Sequence, residues 1–279
     1  MYGACGSADG SFIYMLPVEN NYLIVKYTYM DAKIKAIMQG KGLSEGGAAP
    51  SKKPSSIENI YEKIPKRMLD NAENPNFDLH HLKIPFRMCV VAPSGSGKTN
   101  FLVNVIAKFC QGKGTFNDIT IITRNKDEPL YRFLKDKCDD IQILEGLNNT
   151  PVLDKMDKDL NHLVVFDDLV LEKNQERIKN YYIRARKLNC SVIYLSQSYF
   201  AIPKIIRNNC SYLVLLKLSG HREVNMILSE GGLGIDKDTL LRLYQEATNE
   251  KFSPFIIDYE ESPEKRYRKG LLEIMPVNG

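Results

Sequence analysis

The sequence predicts an α/β protein with a mostly parallel central sheet flanked by helices. First, short apolar runs alternate with amphipathic segments from Arg87 onward, which is typical of repeated β-α units. Second, a Gly- and Ser-rich loop at 92–99 follows an apolar run and precedes a helical pattern. Third, the apolar run 162–168 ends in two aspartates. At 279 residues with 43% hydrophobic side chains, the chain is long enough for one such domain and additional segments.

The elements of this domain follow from the period of the apolar residues. Helices are predicted at 98–110, at 129–138, between the runs 162–168 and 191–197, and on both sides of a Gly turn at 231–234, where Asp236 is expected to cap the second helix. Strands are predicted at 87–92, 118–124, 141–146, 162–168, 191–197, 212–218 and 253–260.

The chain is expected to have four parts. Residues 1–56 contain two Gly-rich patches and are predicted to be an irregular, partly disordered extension or linker, with a β-rich run at 20–30 and one or two helical turns at 31–39. A lead-in segment at 57–85 precedes the core at 86–262. The basic tail at 263–279 is predicted to be solvated, with DNA or partner contact as the alternative.

Composition narrows the class of protein. The net charge of +4 is small, so any footprint for nucleic acid is local. Six cysteines contain no C-x-x-C pair, which argues against a zinc site and a disulfide framework. The start has no signal-peptide pattern and no run is long enough to span a bilayer. We expect an intracellular soluble protein that does not interact with membranes.

The loop APSGSGKT at 92–99 predicts phosphate binding, because it lies between a strand and a helix. Its backbone N–H groups are expected to surround phosphates at the positive end of the helix. The Lys98 side chain would reach the β and γ phosphates, and the Thr99 hydroxyl would ligate Mg²⁺. Ala92 replaces the commoner first glycine, and the alternative is a Gly-rich turn with an incidental lysine. The predicted cradle consists of Ser94, Gly95, Ser96 and Gly97.

The second motif is the acidic pair Asp167 and Asp168, which a buried strand would deliver to the ligand-binding edge of the sheet. Asp167 is predicted to hold Mg²⁺ through water, and Asp168 to orient or deprotonate the attacking water. An acidic pair after a strand can instead cap a helix. Together with the phosphate loop, the pair predicts a magnesium-dependent nucleotide hydrolase that uses ATP.

Two further residues complete the predicted site. Gln197 ends an apolar strand and is expected to sense the γ phosphate or place the water, although a strand-end turn is the alternative. One helix separates this strand from the acidic strand, which predicts that the two are neighbours. Arg186, or alternatively Arg184, could act across a subunit boundary as an arginine finger. Stabilisation of a helix C-terminus explains these arginines equally well.

With these motifs placed, the sequence resembles the FtsK-HerA superfamily of P-loop translocases. Within it, the chain is similar to the DNA-packaging ATPases of nucleocytoplasmic large DNA viruses (poxvirus-type) and virophages. The resemblance covers about residues 83–260. It is carried by PFRMCVVAPSGSGKTNFL, LVVFDDL and ARKLNCSVIYLSQSYFAIPKIIRNN followed by YLVLLK.

The resemblance implies a P-loop NTPase fold of the additional-strand catalytic-acid type, with the acidic strand beside the Gln strand. It also implies a hexameric or pentameric homo-oligomeric ring that uses ATP and Mg²⁺ to move double-stranded DNA into a capsid. Capsid or portal-like vertex proteins would be further partners, and the host cytoplasm or the virion would be the location.

The sequence departs from the family pattern in two places. The family often has Gly-Arg-His before the Gln strand, where this chain has Ala185, Arg186 and Lys187, and many members have Glu where this chain has Asp168. Two alternatives remain: a non-viral DNA translocase or replication ATPase of the same superfamily, and a P-loop kinase or GTPase. The segment NKDE at 125–128 is close to the guanine-specifying pattern but ends in Glu128, and we predict a loop there.

Overall fold

The structure is a computed structural model that describes residues 5–6, 12–18, 21–27, 59–65, 73–138, 140–172, 174–230 and 235–277. The chain divides into two compact units, Met1–Pro65 and Lys66–Gly279.

The first unit contains an antiparallel sheet of three strands within its described residues. These strands are β1 (Cys5–Gly6), β2 (Phe12–Val18) and β3 (Asn21–Tyr27), and a 3₁₀ helix covers Ile60–Lys63. The β-rich prediction for 20–30 is therefore confirmed over Asn21–Tyr27. The helical turns predicted at 31–39 lie outside the described residues, as do most of the positions predicted to be disordered.

The second unit is built on a sheet that has nine strands among the described residues, in the order β12-β11-β10-β9-β4-β8-β7-β5-β6. The six strands from β9 to β6 are parallel, whereas β10, β11 and β12 pair antiparallel. The strands are β4 (Arg87–Val91), β5 (Asp118–Thr123), β6 (Ile141–Glu145), β7 (His162–Asp167), β8 (Cys190–Ser196), β9 (Tyr212–Leu215), β10 (Phe255–Asp258), β11 (Tyr267–Lys269) and β12 (Glu273–Ile274).

Helices cover both faces of this sheet. The described helices are α1 (Phe77–His80), α2 (Lys98–Phe109), α3 (Pro129–Lys135), α4 (Glu176–Arg184), α5 (Lys204–Arg207), α6 (His221–Glu230) and α7 (Lys237–Ala247), with 3₁₀ turns at Leu147–Asn149, Leu153–Lys155 and Ala185–Leu188. Among the described residues, no helix combines the length and the apolar character that crossing a bilayer requires.

The central strands are buried on both faces, which is why they are continuously apolar. In β4, Met88 and Val90 pack on the side of α2 and α3, whereas Cys89 and Val91 pack on the side of α4, α6 and α7. The predicted mostly parallel sheet flanked by helices is therefore confirmed.

Strand β8 lies between the strand of the phosphate loop, β4, and the acidic strand, β7, and it pairs in parallel with both. The predicted adjacency of the acidic and Gln strands is confirmed. Because these strands are parallel, their carboxyl ends share one edge of the sheet, which we call the carboxyl edge; the opposite edge, where they begin, is the amino edge. The predicted cap is also present, since Asp236 accepts a hydrogen bond from the Thr239 amide at 2.8 Å.

The basic segment at 263–279 differs from the predicted solvated tail, because Tyr267–Lys269 forms strand β11. Tyr267 is buried and stacks on Phe255, with ring centroids 6.0 Å apart. Arg268 is also buried and forms an ion pair with Asp258 at 2.8 Å. Since the carboxylate that compensates its charge lies on another strand, the local sequence resembled a solvated charge run.

Candidate active site

The phosphate loop links β4 to α2 at the carboxyl edge. Two of its glycines, Gly95 and Gly97, have φ values of 74° and 95°, which residues with a Cβ rarely adopt. Ser96 donates a backbone hydrogen bond to the Pro93 carbonyl at 3.3 Å. The loop ends at the N-terminus of a 12-residue helix. At such an end, unpaired N–H groups and the helix dipole favour anions.

Lys98, the first residue of α2, is buried in this loop. Its Nζ donates hydrogen bonds to the carbonyls of Ala92 at 2.8 Å and Pro93 at 3.2 Å. Burial lowers the pKa of Lys98, while the nearby carboxylates of Asp167 and Asp168 oppose that shift. Backbone acceptors and carboxylates thus hold a desolvated cation beside the phosphate-binding backbone.

Asp168 directly follows β7, and its side chain contacts Gln197, which directly follows β8. Its φ is 53°, an uncommon conformation that aspartate tolerates better than most residues. Its Oδ1 accepts a hydrogen bond of 2.9 Å from Nε2 of Gln197. The structure therefore brings together two residues that are 29 positions apart in sequence.

Asp167, the last residue of β7, is only 4% exposed and accepts a hydrogen bond from Tyr131. The distance from the Tyr131 Oη to the Asp167 Oδ2 is 2.5 Å. Burial raises the pKa of Asp167 to about 6, although the hydrogen bond from Tyr131 acts in the opposite direction. Burial also raises the pKa of Tyr131, which keeps the phenol protonated and available as a donor.

These groups surround one cavity of about 410 Å³, which is within the usual size range of ligand sites. The cavity is lined by Lys98, Thr99, Asp167, Asp168 and Gln197, together with three of the four predicted cradle residues. The exception is Ser96, which does not line the cavity.

Three lining residues, Arg124, Asn125 and Glu128, come from the loop between β5 and α3. The segment NKDE is a loop, as predicted, but it borders the cavity. The Glu128 carboxylate makes no hydrogen bond within the described residues and lies close enough to Asp167 and Lys98 to perturb both. Sequence reasoning missed these residues and Tyr131. The sequence did contain a signal for them, the strand predicted at 118–124. This strand, β5, is parallel to β7, so the loop after it reaches the same edge of the sheet as Asp167.

The predicted arginines lie elsewhere. Arg186 is exposed on the 3₁₀ turn Ala185–Leu188, immediately before β8. The seven residues of β8 separate it from Gln197 by about 20 Å. Arg184 forms an ion pair with Asp154, whereas Arg186 has no ion-pair partner in the part of the chain that the structure describes. Neither arginine reaches the cavity of its own chain.

The residues present fit a magnesium ion. Thr99 and Asp167 both line the cavity, and hydroxyl and carboxylate oxygens are hard ligands of the kind Mg²⁺ prefers. Within the described residues, no group of three or more His, Cys, Asp or Glu side chains is arranged to hold a metal. That is compatible with Mg²⁺, which in nucleotide sites is held by one or two carboxylates, waters and the substrate phosphates.

The family model described as Poxvirus A32 protein matches residues 75–260. Among solved structures, the genome packaging NTPase B204 from Sulfolobus turreted icosahedral virus 2, in complex with ATP-gammaS, is 12% identical, with a TM-score of 0.47 over 70% of this chain and 100% of that chain. EssC (ATPases 2 and 3) from Geobacillus thermodenitrificans is 11% identical, with a TM-score of 0.47 over 70% of this chain and 40% of that one. No curated protein sequence matches.

The family match includes the phosphate loop, the acidic strand and the Gln strand, and it spans residues 75–260 of 279. It agrees with the resemblance that these motifs indicated. The chain therefore belongs to the Poxvirus A32 protein family, and it is a magnesium-dependent ATPase with a P-loop fold.

Proposed function

We propose that this chain is the ATP-driven motor that moves double-stranded DNA into a viral capsid. The observation that carries the proposal is the convergence of Lys98, Asp167, Asp168 and Gln197 on one cavity at the phosphate loop. A binding protein needs the loop alone, whereas the two carboxylates and the amide add the groups that hydrolysis requires.

Each residue has a distinct proposed role. The backbone of the cradle and the Lys98 ammonium bind and orient the phosphates, and Lys98 stabilises the charge that develops on the transferred group. Asp168 accepts the proton of the attacking water. Thr99 and Asp167 would hold Mg²⁺, which would neutralise charge on the phosphate oxygens.

Gln197 is proposed to connect the γ phosphate to the fold. Its Nε2 donates a hydrogen bond to Asp168, so it positions the base, and it lines the same cavity. It follows β8, which pairs with both β4 and β7. We propose that a change in the Gln197 hydrogen bond after hydrolysis would therefore displace the end of β8, which lies in the middle of the sheet.

The ring is proposed because Arg186, the predicted arginine finger, lies away from the cavity of its own chain. Arg186 lies at the amino edge, exposed and without an ion-pair partner among the described residues, and so it can act only on a neighbouring subunit. Arg184 is the weaker choice because Asp154 already pairs with it. We propose that Arg186 of each subunit completes the site of the next one in a pentameric or hexameric ring.

Double-stranded DNA is the proposed cargo, capsid or vertex proteins are proposed further partners, and the site of virus assembly or the virion is the proposed location. Membership of the Poxvirus A32 protein family supports these proposals. The net charge of +4 implies that DNA phosphates are contacted by local groups of Lys and Arg, which makes binding sensitive to salt.

The test is steady-state ATP hydrolysis by the full chain, with and without duplex DNA at low salt. We expect hydrolysis that duplex DNA stimulates, and Lys98→Ala should lower kcat by at least about a hundredfold because the phosphate charge loses its cation. The matched control is Lys108→Ala, at the other end of the same helix, which should retain activity. Absence of hydrolysis, or hydrolysis indifferent to duplex DNA, would contradict the proposal.

The same assay tests whether Arg186 of one subunit completes the active site of its neighbour. Arg186→Ala and Lys98→Ala subunits should each be inactive alone, whereas a mixture should regain part of the activity. In the mixture, an intact phosphate loop can receive Arg186 from a neighbouring subunit. An active Arg186→Ala variant, or an inactive mixture, would remove Arg186 from the site.

A further inference from the structure

Phe252 has a strained backbone and lies in the loop between α7 and β10. Its φ is 67°, a conformation that is a genuine outlier for a bulky side chain. The side chain is still 45% exposed, so burial offsets little of the strain. Strained residues of this kind concentrate at ligand-binding sites.

The Phe252 ring packs directly on the phosphate loop. A Cβ placed on Gly97 would lie 2.4 Å from Cδ1 and 2.8 Å from Cε1 of Phe252. The ring therefore occupies the space that a side chain at Gly97 would fill. The Nζ of Lys251 lies 4.8 Å from the ring centroid, within the range of a cation–π contact.

The order of the strands in the sheet determines on which side of the phosphate loop Phe252 lies. Phe255, the first residue of β10, pairs with Leu215, the last residue of β9, and so the residues just before β10 lie at the carboxyl edge. In the order β10-β9-β4-β8-β7, this loop lies on one side of β4. Asp168 and Gln197 follow strands on the other side.

This asymmetry sets the direction of a bound nucleoside triphosphate. The γ phosphate must face Asp168 and Gln197, because hydrolysis takes place there, and the loop before α2 holds the phosphate chain. The nucleoside must then extend away from β7 and β8, towards β9 and β10. The exposed aromatic ring of Phe252 lies in that direction and in contact with the loop.

We propose that Phe252 is the stacking platform for the purine ring of ATP. This inference rests on the proposed ATPase function and assigns the nucleoside end of the same site. The strained backbone holds an aromatic face beside Gly97, where burial alone would not keep it. Since stacking tolerates any base, Phe252 supplies affinity for the nucleoside without distinguishing ATP from GTP.

The first test compares the Michaelis constants of Phe252→Ala and Phe252→Tyr. Loss of the ring should raise KM for ATP roughly tenfold and leave kcat within about twofold of the parent, because Phe252 lies away from the reacting atoms. Phe252→Tyr, which retains the ring, should keep the parent KM. The matched control is Phe133→Ala, which removes another exposed phenylalanine beside a lysine, Lys137.

The second test uses the absence of tryptophan from the chain. In Phe252→Trp, emission reports on this position alone, and ATP should quench it with a half-saturation that matches KM. Pyrophosphate should leave the emission unchanged, since it has no base to stack.

Two results would overturn the assignment: an unchanged KM in Phe252→Ala, or a fluorescence response that ATP does not elicit or that pyrophosphate elicits equally. These results differ from a failure of the proposed function. In that case the parent protein itself would not hydrolyse ATP.

Discussion

The two edges of the central sheet use the same residue types in opposite ways. At the amino edge, polar side chains are paired within the fold: His162 contacts Asp118 at 2.6 Å, and Arg268 contacts Asp258 at 2.8 Å. At the carboxyl edge, Asp168 and Gln197 bond each other but also line an open cavity.

The backbone amides show the same contrast, whereas backbone strain does not separate the edges. Positive φ values occur at Asp168 after β7 and Phe252 before β10 on the carboxyl edge, and equally at His81 before β4 and Asn189 before β8 on the amino edge. The amino edge is closed by side chains that accept hydrogen bonds from backbone amides. The Ser191 hydroxyl accepts one from the Phe86 amide at 3.1 Å, and the Ser211 hydroxyl accepts one from the Arg87 amide at 2.9 Å. The amino edge is therefore closed by groups that are paired within the fold, and the carboxyl edge keeps polar groups available to a ligand.

The largest expected effect is on catalysis at the carboxyl edge. Asp168→Asn should lower kcat by about 10²–10⁴-fold, because an amide cannot accept the proton of the attacking water. Asparagine tolerates the positive φ at this position and can still accept the bond from Gln197. Thermal unfolding should therefore be unchanged, and a steady-state ATPase assay measures the loss.

The control for this variant is Asp127→Asn, which alters an exposed aspartate of the adjacent loop that does not line the cavity. If Asp168→Asn keeps its activity, the base is another carboxylate. Glu128→Gln would then be inactive, because Glu128 lines the same cavity.

The next effect is on stability at the amino edge. Arg268→Met should lower the free energy of unfolding by about 3–5 kcal/mol, since it leaves the buried Asp258 without its counter-charge. Urea denaturation measures this, and kcat of the folded protein should not change. The adjacent Lys269→Met breaks an exposed pair with Glu250 and should cost less than about 1 kcal/mol.

This prediction also has a rescue. Arg268→Met combined with Asp258→Leu should recover much of the lost stability, because neither charge is then buried alone. Equal destabilisation by Arg268→Met and Lys269→Met would show that the two ion pairs do not differ in the proposed way.

The smallest expected effect is a pH dependence of the free energy of unfolding that His80 causes. This side chain is buried, and its Nδ1 accepts a hydrogen bond from the Leu82 amide at 2.9 Å. Burial lowers its pKa from 6.5 to about 4, so the unfolded chain binds more protons between these values. The free energy of unfolding should fall as the pH drops through this window, by about 2 kcal/mol.

Comparison with His80→Asn isolates this contribution from other titrating groups. Asparagine keeps an acceptor for the Leu82 amide but does not titrate, so the variant should lose about that much pH dependence between pH 6.5 and pH 4 in urea denaturation. The matched control is His221→Asn, at an exposed histidine of α6, which should behave like the parent. An identical pH profile for the parent and His80→Asn would exclude the histidine as the source.

Local sequence was sufficient for the elements and for much of the cavity. Continuous apolar runs located β4, β7 and β8, and the helical period of the apolar residues located α2, because burial imposes patterns that can be recognised within about ten residues. These patterns also placed Lys98, Asp167 and Gln197 at strand or helix ends. The basic segment around Arg268 was misjudged because its partner, Asp258, belongs to another strand.

The sequence by itself determined that this chain folds as an α/β P-loop protein with a phosphate loop and an acidic strand. Both features are local, since a glycine at positive φ or a strand end needs only its neighbours. Only the tertiary structure decided which side chains meet at and around the cavity. Tyr131 on Asp167, Glu128 beside Lys98 and Phe252 on Gly97 join segments that are distant in sequence, because the sheet order brings their loops to one edge.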